Sequence, residues 1–330
     1  APVLLGNTVV WKPATTSLLS SYLLMEIFKE AGLPDGVINF IPGDGPEIGN
    51  EVLKHKDLAG IQFTSSSSTF NHIWKEVGNN LENYRSYPKI VGETGGKDFI
   101  FVHSSADIDE VSTAMIRGSF EYQGQKCSAA SRAYVPESLW EALKSRMGEM
   151  LSEVKMGDVR DSKNFVNAVI DEKSFDNITN YINEAKKSTN AEIVFGGKGD
   201  KSKGYFIEPT VIKVDDPHFI TMEEEIFGPV LSIYVYKDNE YEETLKLCDK
   251  TSPYALTGAI FAREREALTV ASGILKYAAG NFYYNDKPTG AVVGQQPFGG
   301  SRASGTNDKA GSHLNLLRWT SPRTIKETLL

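Results

Sequence analysis

Apolar side chains cluster at NTVVWK (7–12) and again at VINFIPG (37–43), two short strand-like runs. Between them SLLSSYLLMEIFKEAG spaces its apolar residues three and four apart and stops at Gly32, as a glycine-ended helix does. GDGPEIG (43–49) opens a second helix, with Pro46 suited to the first turn and Glu47 to its positive end. GIQFTSS (60–66) reads as a third strand running into a polar turn, and TFNHIWKEVGNNL as a third helix. KIVGETGG (89–96) and KDFIFVH (97–103) follow as strands. Strand and helix alternating in such short steps predict parallel strands with crossover helices, the architecture of nucleotide-binding sheets.

The pattern restarts near residue 105. ADIDEVSTAMIRGSFEYQG is helical, SRAYVP a strand and SLWEALKSRMGEMLSEV a helix, with a further helix over 171–187. AEIVFGGKGDKSKGYFIEPTVIKV reads as a hairpin around a Gly/Lys turn. VLSIYVY, a helix over 240–249, LTGAIFA and a helix over 264–276 alternate again, and the tail from GQQPFGGSRASGTND is Gly-rich and then extended. There is no fixed-period repeat and no low-complexity segment.

Composition narrows the picture. A mass of 36.4 kDa suits two modest domains or one large α/β unit, and 40% hydrophobic residues with mean hydropathy −0.29 supply real cores. A net charge of −8 without a basic stripe argues against nucleic acid. No apolar run approaches the ~18–20 residues of a membrane span. Two distant cysteines point to a reducing compartment rather than a disulfide framework. The histidines at 55, 72, 103, 218 and 313 lack ligand spacing, so no metal site is expected. Ala1 stands where a methionine would, and the chain enters almost at once into a strand. The sequence therefore reads as lacking an N-terminal portion, and the absence of a targeting signal carries no information.

Cys127 sits in YQGQKCSAASR (122–132), among small and polar neighbours rather than Leu, Ile and Val. A nucleophilic thiol needs a cation or a helix N-terminus to ionise it. Lys126 is adjacent, and SAAS after the sulfur could begin a helix whose N–H groups face it. A packing thiol remains the alternative, as Cys248 in YEETLKLCDK illustrates. Glu93, in GETGGKD, is either a solvated carboxylate or a general base raised by partial burial. Gly95 and Gly96 would let backbone approach a planar ligand. FTSSSS (63–68) and GDGPEIG are two Gly/Ser-rich strand-to-helix turns, compatible with a dinucleotide, although G-x-G-x-x-G is absent. EEEIFGP (223–229) is a structural turn or a presentation of Glu225 to ribose hydroxyls.

WKPATT, FTSSSS, GETGGKD, GQKCSAASR, EEIFGPV and QQPFGGSRASG stand in the order and spacing of the aldehyde dehydrogenase superfamily, which the whole chain resembles. EYQGQKCSAASR, AAGNFYYNDKPTGAVVGQQPFGGSRASGTND and RWTSPRTIKET narrow the resemblance to members that oxidise glutamate γ-semialdehyde to glutamate. The resemblance implies an α/β fold of that type. Part of a Rossmann-type NAD-binding domain (1–95) would precede an α/β catalytic domain (96–305) and a short oligomerisation tail (306–330). It makes Cys127 the nucleophile that forms a thiohemiacetal and then a thioester, and Glu93 the base that activates the hydrolytic water. NAD would be held by Lys12 and Pro13 at the adenine-side ribose, by Gly45, Pro46 and Gly49 beside the adenine, and by Ser65, Ser66, Ser67, Ser68 and Thr69 at the pyrophosphate. Glu225 and Phe227 would lie by the nicotinamide ribose. Ser128, Gly290 and Ala291 would anchor the substrate's α-amino acid end, with Phe298 against its aliphatic stem. A homodimer or higher homo-oligomer in the mitochondrial matrix follows from the same likeness.

Three departures stand out. Ser65 replaces a family glycine near the phosphates, and Ala291 stands where some relatives carry Ser. The family's oxyanion-hole asparagine lies upstream of Ala1, as do the first strands and much of the dimerisation flap. Loss of such a donor costs ~10²–10³ in turnover, so the stretch alone is expected to be poorly active or unstable. Three other readings compete: an aldehyde dehydrogenase of another substrate class, against which the GNFYYNDKPTGAVVGQQPFGG loop argues; a truncated non-catalytic isoform that binds NAD or a partner subunit; and a Cys–His hydrolase, for which no histidine partner motif is visible.

Overall fold

The structure, a computed structural model, describes residues 1–329 and divides into two units. The first holds residues 1–92, 293–297 and the tail from Asp308; the second holds 93–292 and 298–307.

In the first unit β1 (Val9–Trp11) and β2 (Ile38–Phe40) pair in parallel around α1 (Leu18–Glu30). α2 (Gly45–Lys54) starts as its residues direct: Asp44 caps it by accepting the Glu47 N–H at 3.1 Å, and proline occupies the first turn. β3 (Gly60–Thr64) leads into α3 (Ser67–Asn79), capped by Ser66, and pairs with β4 (Lys89–Glu93). The parallel sheet expected here therefore takes the form of two separate two-stranded ladders. The three-residue β1 and β2 each leave their middle side chain exposed. Leu53 of α2, Phe70, Ile73 and Val77 of α3 and Ile90 of β4 form the core. α1 buries only Ser21, and its Leu19, Leu23 and Ile27 stay exposed. The tail joins this unit, with Trp319 against Gly60 and Lys89 bonded to the Thr320 carbonyl. It also forms one short helix that the glycine-rich reading did not contain; it reappears below as α10.

The second unit is built on one sheet of seven strands. Its elements in chain order are β5 (Asp98–Val102), α4 (Ile108–Phe120), β6 (Ala130–Pro136), α5 (Glu137–Glu153), α6 (Glu172–Lys187) and β7 (Ala191–Phe195). There follow the short pair β8 (Gly199–Asp200) and β9 (Phe206–Ile207), then β10 (Thr210–Val214), α7 (Ile220–Glu223), β11 (Val230–Tyr236) and α8 (Tyr241–Lys250). β12 (Tyr254–Ala255), β13 (Thr257–Phe261), α9 (Arg265–Ile274), β14 (Asn281–Tyr284) and β15 (Ser301–Arg302) complete it; α10 (His313–Leu317) belongs to the tail. The strand order is β14-β13-β5-β6-β11-β10-β7, parallel throughout except for the antiparallel edge strand β7.

Both faces of this sheet are covered, which explains why its strands read as unbroken apolar runs. On β5, Phe99 and Phe101 point to one side with Ile178 and Ile182 of α6 and Leu245 of α8. Ile100 and Val102 point to the other, with Val111 and Met115 of α4 and Leu143 and Met147 of α5. A period of two on the strands meets a period near 3.6 on the helices. Each fully buried Phe or Leu contributes roughly 1.5–3 kcal/mol. The chemistry-bearing segments enter this sheet at the amino ends of β5, β6, β11 and β13.

Candidate active site

β4 delivers Glu93 at its last position, 8% exposed. An antiparallel bridge to Gly305 and two bonds from Thr94, N–H to the Ser304 carbonyl (3.0 Å) and hydroxyl to the Ala303 carbonyl (2.7 Å), hold the turn that follows. Gly95 and Gly96 are required there by space. A Cβ on Gly95 would lie 2.5 Å from Glu225 Oε2; one on Gly96 would lie 2.2 Å from the Cys127 carbonyl oxygen and 2.5 Å from Asp98 Oδ2. The two glycines therefore admit protein groups to the turn. Glu225 Oε1 accepts the Gly96 N–H at 2.9 Å.

The cysteine loop leaves α4 through three residues in the left-handed region, Tyr122 (φ 56°), Gln123 (φ 57°) and Gly124 (φ 65°). Such backbone costs a non-glycine residue roughly 1–2 kcal/mol. Side-chain anchors offset it: Gln123 Oε1 accepts the Asn167 N–H at 3.0 Å and Gln125 Oε1 the Ile170 N–H at 3.1 Å. Cys127 then emerges half-buried in a turn. For its surroundings, the possible helix is corrected and the open question of Lys126 is answered. SAAS does not open a helix, because the Ala129 N–H closes a turn onto the Lys126 carbonyl and β6 begins at Ala130. Lys126 turns away to Glu121 Oε2 at 3.2 Å. Burial, then the charges of Asp98, Glu93 and Glu225, push the Cys127 thiol up to about 12, opposed by a hydrogen bond from the Ser128 N–H. The sulfur is at rest a neutral thiol among carboxylates.

Beneath the turn lie three charged residues that pattern reading assigned no role: Lys97, Asp98 and Arg132, each 2% exposed or less. Arg132 donates from Nε to the Lys97 carbonyl (2.8 Å) and from one terminal nitrogen to Tyr134 Oη (3.0 Å) and the Cys248 carbonyl (3.1 Å), while its guanidinium lies over the Phe99 ring. A register shift between Asp98 and Phe99 inserts an extra residue in β6, a bulge of the kind that re-aims side chains beside active sites. Lys97 Nζ is sealed without a hydrogen bond, and burial drives its pKa down to about 7. The signal was present in KDFIFVH and SRAYVP, where charges interrupt runs that are otherwise core.

Ser128 is buried, and its hydroxyl pairs at 2.8 Å with that of Thr289, next to Gly290 (φ 88°) and Ala291. Ser128, Gly290 and Ala291 are thus brought together, with Thr289 as an unanticipated member. Phe298 is half-buried and precedes Gly299, whose Cβ position lies 3.0 Å from Glu93 Oε1. Glu225 lines a cleft of about 380 Å³ with Glu223, Glu224, Pro253 and Tyr254. Phe227 presents its ring to solvent from a left-handed backbone (φ 56°), a conformation uncommon for a bulky residue.

In the first unit Pro13 is buried, Lys12 is half-buried and its Nζ lies 4.0 Å from the Gly45 Cβ position, at the start of α2. Pro46 is exposed and Gly49 half-buried on the same helix. Ser65 precedes the cap of α3, where Ser66 Oγ meets Ser68 Oγ (3.1 Å) and Thr69 Oγ1 (2.9 Å) and accepts the Thr69 N–H (3.3 Å). Ser65, Ser66, Ser68 and Thr69 are exposed and Ser67 half-buried, a hydroxyl-rich helix N-terminus of the kind that favours an anion.

Comparison with known proteins bears directly on this arrangement. The aldehyde dehydrogenase family model matches residues 1–325. The chain belongs to that family. It is 58% identical to the mitochondrial delta-1-pyrroline-5-carboxylate dehydrogenase of Dictyostelium discoideum, over all of this chain and 60% of that protein. It is 52% identical to the human protein of the same name, over 99% of this chain and 58% of that one. Among solved structures, the delta-pyrroline-5-carboxylate dehydrogenase from Mycobacterium tuberculosis bound with NAD matches with TM-score 0.93 at 51% identity, covering all of this chain and 60% of that one. The Thermus 1-pyrroline-5-carboxylate dehydrogenase with bound NAD matches with TM-score 0.87 at 37% identity, over 95% of this chain and 59% of that one. The chain thus spans about 60% of the length of these relatives. Its fold is the aldehyde dehydrogenase fold, mixed α/β with a largely parallel central sheet.

Proposed function

We propose that the protein oxidises L-glutamate γ-semialdehyde, the open form of 1-pyrroline-5-carboxylate, to L-glutamate with NAD as the oxidant. The observation that carries this reading is that, within the second unit, the buried Glu93 carboxylate acts electrostatically on the thiol of the half-buried Cys127. The names of relatives at 50–58% identity supply the substrate class.

Cys127 attacks the aldehyde carbon and forms a thiohemiacetal. NAD, when bound, supplies the hydride acceptor. Glu93 then takes a proton from water, which attacks the resulting thioester and frees the carboxylate and the thiol. Because the thiol starts neutral, its proton must leave the sulfur during attack, and it ends on the aldehyde oxygen in the neutral thiohemiacetal. Ser128 and Thr289 hold a hydroxyl pair at the loop of Gly290 and Ala291, suited to the polar end of an amino acid, with Phe298 as an apolar wall. The residues fit the cofactor: Ser66 and its neighbours offer hydroxyls at a helix N-terminus for phosphates, and Lys12 with Pro13, Gly45, Pro46 and Gly49 flank the start of α2. In the second unit Glu225 and Phe227 are assigned to the ribose beside the nicotinamide. A homo-oligomer belongs to the same proposal by family likeness alone, and so does a mitochondrial matrix location, which the mitochondrial names of relatives support.

The test is a dehydrogenase assay of the complete protein with glutamate γ-semialdehyde and NAD, followed by absorbance of the reduced cofactor. Cys127→Ala should abolish hydride transfer, and Glu93→Gln should leave it while slowing hydrolysis, so that thioester accumulates. Full turnover by Cys127→Ala would refute the reading.

A further inference from the structure

Asp98 opens β5 at 1% exposure, and its Oδ1 accepts the Thr257 N–H at 2.6 Å. Its Oδ2 is buried with no hydrogen-bond partner. The same oxygen and the Cys127 carbonyl oxygen lie 2.5 and 2.2 Å from the point a Gly96 Cβ would occupy, so both share the gap left by that missing side chain. Two bare acceptors facing the same buried gap repel, whereas a proton on the carboxyl lets Oδ2 donate to the carbonyl. The nearby cation does not neutralise Asp98 by pairing. Arg132 directs its donors to the Lys97 carbonyl, Tyr134 and the Cys248 carbonyl, and no ion pair joins it to a carboxylate within 4.0 Å among the described residues. Burial pushes the Asp98 carboxyl well up, with Glu225 adding to the effect. The Thr257 N–H and hydroxyl and the Arg132 charge oppose it. The other titratable groups facing it are Lys97 beside it, Cys127 before β6 and Tyr283 on β14.

We propose that Asp98 is a positioning residue for Cys127, held as a neutral carboxylic acid whose Oδ2–H donates to the Cys127 main-chain carbonyl and so fixes the loop that projects the sulfur. The proposal rests on Cys127 being the nucleophile. Ionisation of Asp98 would both release that carbonyl and add negative charge beside a thiol that must ionise to react.

Three measurements on the complete protein test it. The infrared difference spectrum between wild type and Asp98→Asn at pH 7 should show a protonated-carboxyl C=O band lost in the variant. Asp98→Asn keeps an acceptor for Thr257 and an N–H donor for Cys127. It should therefore retain single-turnover hydride transfer within about threefold, whereas Asp98→Ala should lose more than about tenfold, in kcat rather than KM. Alkylation of Cys127 by iodoacetamide should be unchanged in Asp98→Asn, and altered in Asp98→Ala where that variant folds; it reads the sulfur without turnover. Absence of the carboxyl band, or Asp98→Asn falling as far as a folded Asp98→Ala, overturns the proposal. A wild type without dehydrogenase activity would instead refute the catalytic reading, while the infrared band would still decide the state of Asp98.

Discussion

Glu225 reaches across the second unit to accept the Gly96 N–H at 2.9 Å, joining the segment before β11 to the turn before β5. That bond brings the Glu225 carboxyl, raised by burial, into the same small space as the Cys127 backbone. The glycines on either side of the contact differ in what they exclude. At Gly95 the nearest atom is the end of a flexible carboxylate; at Gly96 it is a backbone carbonyl.

Gly96→Ala is therefore expected to harm catalysis more than Gly95→Ala. The Gly96 methyl must displace the Cys127 carbonyl, and a misplacement of ~1 Å at a nucleophile can cost about 10² in rate. Unfolding free energy should fall by about 1–3 kcal/mol as for other overpacked sites. Steady-state kinetics with urea unfolding of both variants checks this, and equal kcat for the pair would show that the 2.2 Å approach has no catalytic consequence.

The neutral thiol makes a prediction about pH. In the protein without cofactor, the rate of Cys127 alkylation by iodoacetamide should keep rising through pH 8 to 10 without a plateau, as expected of a thiol pushed up to about 12. Glu93→Gln removes a carboxylate that raises the thiol and should move the profile to lower pH. Cys248, wholly buried in α8, should react only after denaturation. A plateau below pH 9 would mean that the free protein already stabilises the thiolate.

Most helices and strands of the second unit were legible because each side of the sheet is covered, so strand runs and helix stripes are both strong signals; the sheet-edge strand β14 and the four-residue α7 were not read. α6, β6 and β11 fall within a residue or so of the ranges predicted for them. Cys127 and Glu93 were legible as candidates from their odd neighbours, small and polar in one case and glycine-rich in the other. The surroundings of the sulfur were not. Whether SAAS starts a helix depends on β6 pairing with β5 and β11, a long-range contact that local propensity does not contain. Lys97, Asp98 and Arg132 escaped notice because charged residues are usually solvated. Their burial follows only from the sheet having two covered faces. Thr289 was missed for a simpler reason: its partner Ser128 lies 161 residues away.

Lys97 supplies a stability prediction with a defined sign. Its pKa is about 7 when folded against an ordinary 10.5, so between those values the unfolded chain binds the extra proton. Stability from this group therefore rises with pH across roughly 7 to 10.5 and is least below 7, where the folded state must bury a charge. Lys97→Met should be more stable than wild type at pH 6, with the gap closing toward pH 10. Chemical denaturation of both proteins at four pH values gives the difference curve. A difference independent of pH would place the ammonium in solvent.

Arg132→Lys should be destabilising although charge is conserved. The guanidinium serves the Lys97 carbonyl, Tyr134 Oη and the Cys248 carbonyl from two nitrogens while lying against Phe99 and Tyr134. A lysine ammonium is a shorter, more strongly hydrated point donor and cannot span those acceptors. Each buried acceptor left unmet costs about 1–3 kcal/mol, and some relaxation is expected, so a loss of about 2–4 kcal/mol in unfolding free energy follows. The Lys97 carbonyl lies one residue from Asp98 and one from Gly96 of the glycine turn. Loss of its Arg132 bond should therefore also loosen the nucleophile loop, lowering kcat in the variant even at temperatures where it is fully folded. Wild-type kcat with lowered stability would confine Arg132 to a packing role.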